Sequence, residues 1–181
     1  MIVTMDTPPA VKPTEEIFDI TDLDDRVIGQ LPRSEVHRQK LWHRAAHIFV
    51  FNNRGEILVH RRSAQKDEYP LRITSSASGH LSAGEDYPES AQRELAEELG
   101  LTGPLEFLVK LPASPDMAYE HSALFKIITD DVPIPDPGEI CEVFYLTVTE
   151  LNQRIAANPD DFTPPFLRLW AWYCYHRHGS Q

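Results

Sequence analysis

Glu94, Glu97 and Glu98 stand three and four residues apart in the segment from Gly79 to Leu101, GHLSAGEDYPESAQRELAEELGL. On a helix these spacings project all three carboxylates from one face. Three like charges on neighbouring turns repel, and a hard divalent cation with oxygen ligands is the commonest remedy, which points to Mg2+ or Mn2+. Such an ion polarises a phosphoryl oxygen, acidifies water and offsets the charge of a diphosphate. Arg93 is expected to pair with Glu85 and fix the preceding loop against the helix. Gly79 is expected to let the backbone turn tightly enough for its carbonyl to join the metal shell.

The carboxylates need a helix, and Tyr87 to Leu99 reads as one. Pro88 suits the first turn, Ala91, Leu95 and Leu99 recur every four residues, and Gly100 suits the C-terminal cap. Upstream, Glu16 to Ile20 carries a short strand signal and Pro32 to Lys40 a short helix. Arg44 to Phe51 and Ile57 to Arg61 are strand-like runs joined by the hairpin turn Asn52-Asn53-Arg54-Gly55. A polar loop, Ser63 to Arg72, leads into Thr74 to Ser78 and a turn around Gly79. Strands return at Leu105 to Lys110, Tyr119 to Ile128 and Glu142 to Thr147, and helices at Thr149 to Ala157 and Pro165 to Tyr175. Strands on both sides of a central helix imply a mixed α/β (α+β) sandwich rather than an alternating βαβ array. Residues 1–14 read as a flexible N-terminal arm and 15–181 as a single domain.

The formal net charge of −11 disfavours a nucleic-acid polymer as partner, since such a surface repels phosphate over long range. An anionic substrate then needs a cation or a local basic patch. Arg44, Arg61, Arg62, Lys66 and Arg72 form the densest basic group and are a candidate phosphate-binding patch, of which strand alternation lets only some face a pocket. No apolar run could span a bilayer and no secretory pattern opens the chain, so a cytoplasmic protein without a membrane partner is expected. Cys141 and Cys174 read as structural thiols. A homodimer is one of the oligomeric states left open.

An acidic helical run is ordinarily a solvated face. Here nine constrained positions are filled together: Gly79, Glu85, Arg93, Glu94, Leu95, Glu97, Glu98, Gly100 and Leu101. The segment 79–101 resembles the Nudix box, G-x5-E-x7-R-E-U-x-E-E-x-G-U with U apolar. The resemblance implies an α/β/α sandwich with a mixed sheet, and hydrolysis of a diphosphate linked to another group X by metal-activated water. The small-molecule diphosphate is then the partner, with Glu97 and Glu98 catalytic and Glu85, Arg93 and Gly100 supporting the box.

More of the chain is similar to the type 1 isopentenyl diphosphate isomerases and their hydrolase kin, through LWHRAAHIFVFN (Leu41 to Asn52) and HRRSAQKDEYP (His60 to Pro70). That likeness implies metal-ligand roles for His43 and His80, a catalytic role for Glu120, and diphosphate contacts by Arg62 and Lys66. The isomerase cysteine is absent, and Ser78 takes its place. The isomerases also typically lose the box acids that this chain keeps at Glu94 and Glu97. A pyrophosphohydrolase is therefore expected, with isomerase-like activity and a non-catalytic module binding nucleotide diphosphate as the alternatives. Glu139 and Glu142 lie where related hydrolases recruit a base, and their plainer reading is a solvated acidic loop.

Overall fold

The computed structural model describes residues 15–177. The arm expected at 1–14 lies outside the described residues. β1 (Ile17–Thr21) and β2 (Val27–Pro32) form an antiparallel pair, followed by α1 (Arg33–Gln39). β3 (His43–Phe51), β4 (Ile57–Arg62), β5 (Ile73–Thr74), β6 (Ala77–His80), β7 (Glu106–Leu111), β8 (Glu120–Ile128) and β9 (Ile140–Leu146) build a mixed sheet. Helices α2 (Tyr87–Leu99), α3 (Val148–Ala157) and α4 (Pro164–His176) cover it. The sheet runs β5-β4-β3-β8-β7, with β6 paired to β3 and β9 to β4. β3 and β8 are parallel, from His43 opposite Glu120 to Phe51 opposite Ile128.

The hairpin turn forms where the sequence places it. Asn52 Oδ1 accepts from the amides of Arg54 and Glu56, and Gly55 takes φ 78°. The two strands pair at only two rungs, Val50 with Leu58 and Phe51 with Ile57. Beyond them the strands splay, with β6 against β3 and β5 against β4. That divergence opens the sheet where the chemistry is placed.

Alternation along β3 feeds both faces of the sheet. Ile48 and Val50 pack with Ala91, Leu95 and Leu99 of α2. Phe49 and Phe51 pack with Phe166, Leu169 and Trp170 of α4 and Leu151 of α3. Each fully buried large apolar side chain contributes about 1.5–3 kcal/mol, so both layers are held mainly by this burial. The α/β/α sandwich is thus the observed architecture. Among the described residues, no helix is long and apolar enough to cross a membrane.

Helix α2 carries strong local instructions. Asp86 accepts from the Glu89 amide at 2.9 Å in a capping box, and Gly100 closes the helix at φ 64°. One expectation changes: Gly79 lies in strand β6 opposite Ala46, not in a tight turn. Its lack of a side chain serves another purpose, set out below.

Candidate active site

A cavity of about 330 Å3 opens above the splayed strands. Helix α2 delivers Glu94, Glu97 and Glu98 to it, and β6 delivers Ser78, Gly79 and His80. A Cβ on Gly79 would overlap the Glu94 carboxylate, so the glycine leaves the space that this carboxylate occupies. Glu98 is 3% exposed and accepts from the Ser78 amide at 3.0 Å. Burial pushes Glu98 up to about 8 and Glu94 up to about 7, the latter against the pull of Arg93. Glu97 is 61% exposed at the rim.

Arg93 organises the box. Its Nε and Nη2 donate to Glu85 at 2.8 and 2.9 Å, as expected, and Nη1 reaches Glu94 at 2.6 Å and Glu97 at 3.1 Å. Nη2 also donates to the His80 carbonyl at 3.1 Å, which ties helix to strand. Among the described residues, Glu94, Glu97 and Glu98 do not bring one oxygen each within 4.8 Å of one another. Arg93 Nη1 stands between the Glu94 and Glu97 carboxylates, while Glu98 is turned to the Ser78 amide.

Of the five basic residues grouped in the sequence, Arg62 and Lys66 line the cavity. Arg62 Nε donates to the Glu68 carbonyl at 3.1 Å, and Lys66 is ion-paired with Glu139, which also lines the cavity. Arg44, expected among the phosphate contacts, is turned elsewhere. Its Nε and Nη2 donate to Asp25 Oδ1 and to the Asp25 carbonyl, each at 2.6 Å. Arg61 is held by Asp161 and Arg72 by the Phe162 carbonyl. Arg33, overlooked in the sequence, lines the cavity and pairs with Asp67 at 2.7 Å.

Beside this cavity lies a histidine cluster. His43 and His80 are joined by His37 from α1, with ring centroids 4.9 to 5.3 Å apart. Phe18 of β1 packs against all three rings. His43 Nδ1 lies 2.8 Å from the Leu41 carbonyl, which can only accept, so Nδ1 carries the proton and Nε2 offers a lone pair. The Nε2 atoms of His43 and His37 are buried and have no hydrogen-bond partner among the described residues. Burial lowers both rings to about 4, so they are neutral at pH 7. One ligand atom from each of His37, His43 and His80 falls within 4.8 Å of the others, as do those of Glu68, His80 and Glu120. The orphaned lone pair of His43, the unpartnered Nε2 of His37 and two nearby carboxylates fit a divalent cation.

Glu120 is buried at the start of β8 and lines the cavity. His80 Nε2 is 3.1 Å from Oε1, and His47 Nε2 is 3.6 Å from Oε2. Burial alone would raise its pKa, but the two imidazoles outweigh it and hold the carboxyl well below the usual range. The sequence pointed to His43, His80 and Glu120 through resemblance. It carried no comparable signal for His37, His47 or Glu68, which the chain's path alone brings to the site.

A family model described as the NUDIX domain matches residues 41–166. An uncharacterized Nudix hydrolase of Yersinia pestis is 36% identical over 159 residues, covering 86% of this chain and 85% of that protein. A protein named isopentenyl-diphosphate Delta-isomerase, from Serratia proteamaculans, is 30% identical, covering 86% of this chain and 89% of its own length. The crystal structure of DR0079 from Deinococcus radiodurans superposes with a TM-score of 0.71 at 29% identity, covering 79% of this chain and 90% of that one.

Proposed function

Because this chain belongs to the Nudix family, we propose that it is a divalent-metal-dependent pyrophosphohydrolase acting on a diphosphate linked to X. One observation carries the reading: two carboxylates, the buried Glu98 and the half-buried Glu94, share a cavity with Arg62 and Lys66. Acids pushed up to about 7 and 8 are costly to ionise without a cation, and a diphosphate is the kind of anion that brings one.

Glu94, Glu97 and Glu98 would hold Mg2+ or Mn2+, with the Glu94 carboxylate seated in the space that Gly79 leaves. His37, His43 and His80, with Glu68 and Glu120, offer a second place for a cation. A bound divalent cation offsets the diphosphate charge and polarises its phosphoryl oxygens. Arg62 and Lys66 orient the diphosphate, with Lys66 exchanging Glu139 for phosphate. Glu120, already ionised, accepts a hydrogen bond from the attacking water and takes its proton as the water oxygen bonds to phosphorus and the bridging P–O bond breaks, the electron pair leaving on the departing phosphate oxygen. Arg93 and Glu85 keep the box loop and helix in register.

The test is a panel of ADP, GDP, ADP-ribose, UDP-glucose and isopentenyl diphosphate, assayed for bond cleavage with Mg2+ or Mn2+ and again with chelator. Cation-dependent cleavage of at least one member supports the reading, and no cleavage of any sinks it.

The histidine cluster and the Serratia relative favour a second reading, isomerisation of isopentenyl diphosphate. Two observations weigh against it. Ser78 replaces the cysteine that the resemblance implies, and a serine hydroxyl lacks a thiol's acid-base reach near neutrality. The cavity lining is polar or charged apart from Ala45, Tyr69, Gly79 and Pro165, so a five-carbon chain finds little apolar wall. Formation of dimethylallyl diphosphate would reverse this ranking.

A further inference from the structure

Glu120 has a second partner whose place in the fold the expected chemistry does not explain. His47 is buried on β3, four residues after His43, and its ring lines the cavity. Its Nδ1 lies 3.0 Å from Oγ of Ser75, which is fully buried, and its Nε2 faces Oε2 of Glu120 at 3.6 Å. Ser122 Oγ donates to the same oxygen at 3.3 Å. His80 sits on the other oxygen, Oε1.

This arrangement selects one tautomer. A neutral ring whose Nδ1 proton went to Ser75 would aim the Nε2 lone pair at a carboxylate, which is repulsive. With the Ser75 hydroxyl donating to Nδ1, Nε2 carries the proton and presents it to Glu120. A doubly protonated ring would present the same N–H. We infer that His47, oriented by Ser75, is a positioning residue that holds Oε2 of Glu120 and leaves Oε1 to face the reacting centre and His80. A carboxylate gripped on one oxygen loses a rotational freedom that turnover would otherwise have to restrict each time. At 3.6 Å the imidazole stands at ion-pair rather than hydrogen-bond distance, and it shares the hold on Oε2 with the Ser122 hydroxyl at 3.3 Å.

The inference rests on the role proposed for Glu120, and the test separates the two. His47→Ala, His47→Gln, Ser75→Ala and Glu120→Gln are compared with the unaltered chain, using the fastest-cleaved diphosphate of the panel above. Thermal melting with and without Mn2+ is measured alongside. A Gln side chain can place its amide N–H near the position of imidazole Nε2. The expected result is a kcat for His47→Ala reduced about tenfold or more at unchanged KM, with most of it restored in His47→Gln. Ser75→Ala should lose about threefold, and the Mn2+ melting shift should stay as in the unaltered chain. If His47→Ala keeps full kcat while Glu120→Gln loses it, the positioning role is overturned and Glu120 retains its own. If His47→Gln is as impaired as His47→Ala and both melt early, His47 is only a packing residue. If Glu120→Gln turns over normally, both roles fall.

Discussion

Gly79 on β6 and Glu94 on α2 fill one volume between them: a Cβ on the glycine would overlap the glutamate's carboxylate. The glycine of the box is therefore a demand for space rather than for a turn. The overlapping atoms belong to the end of a flexible side chain, so Gly79→Ala should keep the fold by displacing Glu94. Its melting temperature is expected within a few degrees of the unaltered protein, while Mn2+ binding by calorimetry weakens about tenfold or more. Unchanged Mn2+ affinity would remove the Gly79 and Glu94 pairing from the cation site.

Cation removal should interact with pH. The folded-state pKa values of Glu94 and Glu98 are raised to about 7 and about 8, so the unfolded chain binds fewer protons between about 4.5 and 8. Their contribution to stability is full below the ordinary glutamate value and is lost as pH rises through 7 to 8. Chelator-stripped protein should melt progressively earlier from pH 5.5 to 8.5, and Mn2+ should reverse the loss most at the alkaline end. A melting shift on Mn2+ addition that is the same at both ends would contradict this.

The histidine cluster gives an acid-side counterpart. His37 and His43 are lowered to about 4 by burial, so the unfolded state binds more protons between about 4 and 6.5, and stability falls as pH drops through that window. His43→Asn should flatten the fall and abolish any Mn2+ occupancy of this second place, read as one fewer ion per chain. Retention of full Mn2+ stoichiometry would show that the cluster is a packed core of neutral rings.

Arg44 is expected to matter for stability and not for substrate. Asp25, in a left-handed conformation at φ 64° that Asn also accepts, receives Arg44, Lys110 and the Tyr87 hydroxyl. Burial raises its pKa, and these partners outweigh that, so its stabilisation is present above the ordinary aspartate value and lost as pH falls. Asp25→Asn should cost about 3 kcal/mol in denaturant unfolding at pH 7, with KM unchanged. A raised KM with unchanged stability would return Arg44 to the phosphate site.

Local instructions were legible in the sequence and long-range convergence was not. Helix α2 could be read end to end because Pro88, the four-residue apolar repeat and Gly100 act within a few residues of each other. The pairing of Arg93 with Glu85 was legible because the box fixes loop and helix in one short segment. The hairpin turn was legible, but the splaying of β3 and β4 depends on β5 and β6, which arrive later in the chain. His37, His47 and Glu68 gave no signal because they reach the cluster from α1, β3 and the loop after β4 only once the sheet is closed. Strand alternation could not tell that Arg62 lines the cavity while Arg44 turns to Asp25, since the partner is set by β1 and β2 packing above.

The most direct measurement is turnover of the fastest-cleaved diphosphate by Glu97→Gln and Glu98→Gln with Mg2+ present, alongside circular dichroism to verify folding. Loss of kcat by about a hundred- to a thousandfold in a folded protein is the expected result, since these carboxylates would hold the cation that offsets charge in the transition state. Full activity in both variants would contradict the assignment of the α2 carboxylates as the seat of catalysis.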